Sequence, residues 1–263
     1  MNAVVKITSF QMRDLLRSRW ALFYTLFFFL LTDGLFRFSP DQERVTLSLI
    51  NVTLFVVPLV SMLFGSMFYY NSREYIEMIL AQPINRRTLF AGMYFGLSLS
   101  LSLAFCIGAI VPFIIHGYNV QAFLPTLLTL MFTGIALTMV FVGLAFWVAI
   151  TTDDKGKGLG TTILYWLWFA VIYDGLILLG SFVFYKYPLE KVIIALTMFN
   201  PTDLSRILLL MQMDVAALMG YTGAVIERFF GSMQGQLICW SAISLWIIAP
   251  FALGMRSFTR KDL

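Results

Sequence analysis

Apolar and polar positions segregate along this chain on the scale of whole segments. Six mostly apolar runs, residues 20–38, 46–70, 88–115, 123–150, 161–184 and 236–256, are separated by polar stretches. An α-helix rises about 1.5 Å per residue, so about 20 residues cross the hydrocarbon core of a bilayer. Each run is long enough to predict one transmembrane helix. The expected fold is an all-α membrane protein, one domain over residues 1–263.

The intervening stretches have patterns of their own. In residues 1–19, Val4, Val5, Met12, Leu15 and Leu16 share a helical face with Trp20, while Lys6, Arg13 and Arg17 cluster opposite and Arg19 breaks the pattern. Such a helix lies at the membrane interface with its basic side toward anionic headgroups. In residues 72–83, Tyr75, Ile76, Ile79 and Leu80 gather on one side of a short helix and Arg73, Glu74 and Glu77 on the other. Gln82-Pro83 ends it, because proline removes a donor and restricts the residue before it. Asn85-Arg86-Arg87 is then a polar start for the third span. The 185–235 segment is too long for a turn and too polar to cross. Within it Asn200 reads as a helix N-cap, with Pro201 at the first helical position and Asp203 three after the cap. Leu204, Ile207, Leu208, Met211, Val215 and Leu218 would form an apolar face ending at Gly220. A re-entrant or interfacial outer helical element is expected, its exposed apolar side capping the spans or receiving a partner protein.

Composition agrees. The chain is 60% hydrophobic and 12% charged, about half the charged fraction of a soluble domain. The net charge of +4 follows from loop topology and does not call for nucleic acid. With the N-terminus inside, twelve basic residues fall on inner loops (Lys6, Arg13, Arg17, Arg19, Arg73, Arg86, Arg87, Lys155, Lys157, Arg256, Arg260, Lys261) and six on outer ones. That bias places both termini in the cytoplasm. The first apolar run is too long for a signal-peptide core, so no cleaved leader is expected. Cys106 and Cys239 both lie within spans and give no disulfide framework.

Candidate chemistry is sparse. Asp174, near the middle of the fifth span, is costly there and must face the bundle or water. It reads either as a lumen group on a transport route or as a helix–helix hydrogen bond with Tyr173 or a Ser or Thr of another span. Fourteen methionines raise soft-metal ligation, with Met62, Met67, Met211 and Met213 as candidates, but Met is also an ordinary gap-filler. Gly92-x-x-x-Gly96 permits close helix contact. Gly156-Lys157, in the turn TTDDKGKGLG, is followed by Gly158 where a phosphate loop needs Ser or Thr. No nucleotide site is therefore expected, and any ATP chemistry belongs to a partner. An intramembrane protease needs a Ser-His or paired-Asp site; His116 sits in a loop and Asp174 is the only carboxylate at depth. A purely structural membrane anchor is the remaining alternative.

The stretch NSREYIEMILAQPINRRTLFAGMYFG, residues 71–96, resembles the first cytoplasmic loop of type-2 ABC exporter permeases, departing from the usual pattern at Glu74-Tyr75-Ile76-Glu77. The resemblance implies a coupling helix seated in a groove of the ATPase, with Arg73, Glu74, Tyr75, Glu77, Leu80, Arg86 and Arg87 in that role. It also implies an N-terminal elbow helix. A narrower likeness rests on Asn200-Pro201-Thr202-Asp203-Leu204-Ser205-Arg206, on residues 214–224, on Arg13-Asp14…Arg17-Ser18-Arg19-Trp20 and on Phe258-Thr259-Arg260-Lys261-Asp262-Leu263. These segments resemble permease subunits of ABC transporters that serve maturation of the copper enzyme nitrous oxide reductase. The likeness implies a homodimer in the bacterial inner membrane, with ATP and Mg bound by a separate ATPase and no cofactor in this chain. It further implies a periplasmic accessory protein meeting Asn200, Pro201, Asp203, Arg206 and Asp214. The implied cargo is a sulfur species or copper, unless the machine drives its periplasmic partner mechanically. Export of a lipid or hydrophobic small molecule is the alternative.

Overall fold

The computed structural model describes residues 3–39, 41–116, 120–184, 190–212 and 233–261. Among them the chain is helical, without strands. In chain order the helices are α1 (Ala3–Arg17), α2 (Arg19–Phe38), α3 (Gln42–Asn71), α4 (Arg73–Leu80), α5 (Arg86–Ile115), α6 (Val120–Thr151), α7 (Lys155–Leu167), α8 (Tyr173–Val183), α9 (Glu190–Thr197), α10 (Pro201–Leu210) and α11 (Met233–Arg260). A π-helical turn, Trp168–Ile172, joins α7 to α8. Among the described residues six stretches are long and apolar enough to cross a membrane: Arg19–Phe38, Glu43–Asn71, Arg86–Ile115, Leu124–Thr151, Lys155–Val183 and Gly235–Arg260. They coincide with the six apolar runs within a few residues. The helices outrun the apolar runs because their first turns are polar and capped. Asp41 accepts from Glu43 N, Asn85 from Arg87 N and Asp154 from Lys157 N, each satisfying an amide with no partner inside its helix.

α5 and α6 form the centre of the bundle. α6 packs against α3, α5, α10 and α11, while α5 takes α1 and α2 on its other side. Phe28 and Phe105 meet edge-on at 4.9 Å, and Phe90, Phe146 and Phe258 fill the space toward the face carrying α1 and the end of α11. That side is called the terminal face below. α1, expected as an interfacial helix, packs along the first half of α5. At Gly92 a Cβ would come within 2.5 Å of Ile7 Cγ2, and at Gly96 within 2.6 Å of Gln11 Cβ. The pair expected to allow close helix contact thus receives α1. The same device recurs at Gly108, where a Cβ would lie 2.5 Å from the Thr25 carbonyl oxygen.

The fifth span is attached to α3 only in its first half. Ser66 and Thr162 hydroxyls lie 2.7 Å apart in a buried contact, and Trp166 Nε1 donates to Phe55 O at 3.2 Å. Its second half, α8, has no buried residue.

Between the fifth and sixth spans, α9 and α10 form a re-entrant hairpin. Its turn lies beside Phe169, halfway along the fifth span, and Trp246 Nε1 of α11 donates to Met198 O at 3.1 Å. Leu204, Ile207 and Leu208 pack against Ala136, Cys239 and Ile243. The expected cap and proline positions are observed, but two expectations need correction. α10 is sheltered between spans, so the described part of the expected apolar face, Leu204, Ile207 and Leu208, is buried in the groove between α6 and α11 and is not exposed. It also ends at Leu210, with Met211 as C-cap, short of Gly220; residues 213–232 lie outside the described set.

Candidate functional site

Two polar clusters are built at opposite depths of the bundle. The first surrounds α4 at the terminal face. α4 starts directly after the second span, and Glu74 in its first turn complements the partial positive charge of the helix start. Ile76 is fully buried, and Tyr75, Ile79 and Leu80 are half-buried, as the wheel predicts. Glu74, Glu77 and Met78 face outward, with Met78 58% exposed. Arg73 Nε lies 3.6 Å from Glu77 Oε1, one turn away.

The other basic residues of this region divide. Arg87 is exposed. Arg86 turns inward, its Nη1 donating to Lys261 O at 2.6 Å. Lys261 Nζ donates to Ile150 O at 2.6 Å and to Asp153 Oδ1 at 2.7 Å. Arg73 Nη2 approaches the same Asp153 oxygen at 3.9 Å. Tyr70 OH donates to Thr152 O at 2.8 Å, with its ring against Gly158, where no side chain would fit. Sequence reasoning missed Tyr70, Asp153 and Lys261 as members of this cluster. They stand in three separate stretches of the chain, which spacing cannot join.

Lys261 holds the Asp153 carboxyl below its ordinary value of 3.8, first through the hydrogen bond and then through its charge, with Arg73 adding to it. Because the folded value is the lower one, the contribution of the pair is present above the unfolded value and is lost as pH falls through the folded one. The pair is therefore expected to persist from pH 7 to pH 5 and to open only below about pH 4. A 13C carboxyl titration of Asp153 in detergent measures this; a midpoint above 4 would remove the pairing.

The second cluster lies at the turn of the re-entrant hairpin. Asn200 is fully buried and uses its whole amide. Nδ2 donates to Phe169 O at 2.9 Å and to Asp203 Oδ2 at 3.0 Å, while Oδ1 accepts from Thr202 N at 3.0 Å and Thr202 Oγ1 at 2.6 Å. The π turn presents the Phe169 carbonyl to this corner, and Thr202 Oγ1 also reaches it at 3.2 Å. A π turn offsets the helix ladder, which is how backbone in mid-membrane becomes available to a side chain. One turn along α10, Arg206 Nη1 reaches Asp174 Oδ2 at 2.7 Å and Asp203 Oδ1 at 3.2 Å. Tyr173 OH donates to Leu196 O at 2.6 Å, fixing α8 to α9. An open cleft of about 290 Å³ borders the cluster, lined by Asp174, Ser181, Thr197, Asp203 and Arg206 among others.

The structure thus joins Asp174 to Arg206, a pairing across elements that the sequence did not suggest. Asn200, Pro201 and Asp203, expected to face an outer partner, are buried inside the chain; only Arg206 keeps an accessible edge. Met62 is buried in the core and Met67 is half-buried beside Trp20 and Phe64. Met211 packs at the edge of the α10–α11 contact. Met213 and Asp214 lie outside the described residues. Among the described residues no three His, Cys, Asp or Glu side chains converge on one point. His116 Nε2 lies 2.8 Å from Asp33 Oδ1, joining the ends of α5 and α2.

Comparison with known proteins gives the rest. No family model matches the chain. It is 27% identical over 284 aligned residues, covering all of both chains, to the Pseudomonas aeruginosa protein named "Probable ABC transporter permease protein NosY". The Stutzerimonas stutzeri protein of the same name is 23% identical over 284 residues, covering 99% of each chain. Among the described residues six helices are long and apolar enough to cross a membrane, which marks a multi-pass membrane protein, and along its whole length the chain is similar to proteins named as ABC transporter permeases.

Proposed function

We propose that this chain is the membrane subunit of an ATP-driven exporter in the bacterial inner membrane, with both termini and α4 in the cytoplasm. The observation that carries the reading is α4 itself. It is a short helix set between two spans, rooted by a fully buried Ile76 and presenting Glu74, Glu77 and Met78 to a partner. The twelve-to-six division of Lys and Arg supports the orientation. ATP and Mg are held by the separate ATPase that docks on α4. Its closure moves α4, and α4 moves the spans, so the two nucleotide states bias two arrangements of the bundle.

Two copies work together in this reading. The fifth span is the least buried of the six, with 6% of its apolar window inside the chain, yet it carries Asp174. A second copy beside it shelters what a lone copy leaves to lipid. The Asp174–Arg206–Asp203 cleft then forms part of an outer vestibule, above which a periplasmic partner rests. The cargo implied by likeness to NosY is a sulfur species or copper destined for the copper-sulfur centre of nitrous oxide reductase. One observation favours the second reading, export of a lipid or hydrophobic small molecule: an apolar cleft of about 500 Å³ between α2 and α3, lined by Trp20, Phe23, Phe27, Val56 and Phe64 among others.

The test is ATP turnover in the reconstituted complex of this chain with its ATPase. Removing two charge-assisted contacts with Glu74→Ala/Glu77→Ala is expected to weaken ATPase capture about tenfold or more, since 1.4 kcal/mol is a factor of ten. Unchanged capture and unchanged turnover would reduce α4 to a connector lying on the bilayer.

A further inference from the structure

Three polar segments far apart in sequence meet at the cytoplasmic face, and Lys261 sits where they cross. Its carbonyl accepts Arg86 Nη1 from the start of α5. Its ammonium reaches the Ile150 carbonyl in the last turn of α6 and the Asp153 carboxylate in the loop beyond. Asp153 in turn faces Arg73 of α4. A cation at a helix C-terminus meets unpaired carbonyls and the negative end of the helix dipole, which makes Ile150 O a favourable anchor. Two further contacts tie the same segments together: Tyr70 OH to Thr152 O, and Lys155 Nζ to Asn71 Oδ1 at 3.0 Å. Phe258, three residues before Lys261, is fully buried against Phe90 and so fixes the end of α11 from its apolar side.

An ATPase that pushed on α4 alone would act directly on the second and third spans, which α4 joins. With these contacts in place, α4, the 152–155 loop and the end of α11 make one surface. We propose that Lys261 is a positioning residue that locks these three segments into a single platform for the ATPase, so that the second loop and the end of the last span belong to the docking surface along with α4. The inference rests on the docking role assigned to α4 above. It adds that Lys157, next to the Lys155 anchor, and Arg260, next to Lys261, lie against the ATPase; both are exposed. Single exposed ion pairs are weak. What holds the platform is the set, in which Lys261 alone engages three other segments and each contact orients the next.

The test uses the full complex of this chain with its ATPase, in a chain whose two native cysteines are replaced by Ala. Met78→Cys reports the α4 dock and Arg260→Cys reports the proposed extension, each read by cross-linking to the ATPase with a short bifunctional reagent. Both are expected to cross-link. Adding Lys261→Met is expected to lower the Arg260→Cys yield about fivefold or more while leaving the Met78→Cys yield within about twofold. Lys261→Arg, which keeps a cation that can reach both acceptors, restores it. Should Lys261→Met fail to accumulate, Asp153→Asn replaces it, removing one arm and giving a smaller loss in the same direction. If Met78→Cys cross-links and Arg260→Cys does not, or if Lys261→Met changes neither yield, the platform is refuted and the α4 dock survives. If Met78→Cys itself fails to cross-link, the docking reading falls and the platform with it.

Discussion

Replacing Arg206 with Met is expected to cost the fold about 2–3 kcal/mol. Removing one partner from a buried ion pair costs about 3–5 kcal/mol because the other charge is left in a poor solvent. Here the Arg206 and Asp174 side chains keep 38% and 32% of their surface exposed, whereas Asp203 keeps only 6%, so the lower part of that range, discounted for screening, applies. Two carboxylates would then face each other across the cleft with no cation between them. Asn200, the neighbouring amide, cannot help, because it is already fully committed to Phe169, Thr202 and Asp203. Thermal unfolding followed by tryptophan fluorescence in detergent measures the loss. Asp174→Asn in the Arg206→Met chain should return about 1 kcal/mol, as expected for residues in direct contact. A variant as stable as the parent would mean that apolar packing alone holds α10.

The second large effect is expected at Gly108. A methyl there would sit 2.5 Å from the backbone oxygen of Thr25 and 2.9 Å from Phe28 Cβ. Neither atom can rotate away, since one belongs to the α2 backbone and the other is the root of a fully buried ring. Gly108→Ala must therefore push α2 off α5, at about 2–3 kcal/mol by the usual cost of overpacking. Gly34→Ala, also within a span but with open space around it, should instead gain a few tenths to about 1 kcal/mol from helix propensity. Opposite signs in the same unfolding assay test the close approach of α2 and α5. Equal effects would show that composition and not contact sets the response.

The elements of this fold were largely legible in the sequence, and their partners were not. Six spans followed from length and hydropathy, and Asn200-Pro201 declared its helix because capping is local chemistry. The buried and exposed sides of α4 followed from a 100° step per residue. Periodicity is silent about which elements meet. Asp174 and Arg206 stand 32 positions apart, and nothing in either segment names the other. The carbonyl of Phe169 is invisible to any side-chain pattern, since a π turn within an apolar run has no composition of its own. The same limit hid Lys261, whose partners come from three other segments, and it misplaced Asn200 and Asp203 at a surface that their packing denies them.

The hairpin's ion pair also bears on how the chain enters the bilayer. Synthesis proceeds from the N-terminus, so Asp174 emerges well before the guanidinium that will neutralise it. An aspartate at the centre of an inserting helix costs about 2.5–3.5 kcal/mol, while each central Leu or Ile returns about 0.3–0.6. The run Leu176-Ile177-Leu178-Leu179 directly after Asp174 offsets about 1–2 kcal/mol of that cost. Those four side chains thus have a use during insertion, before the hairpin or a second copy is in place, when the nascent fifth span must carry an unpartnered acid into the membrane by itself.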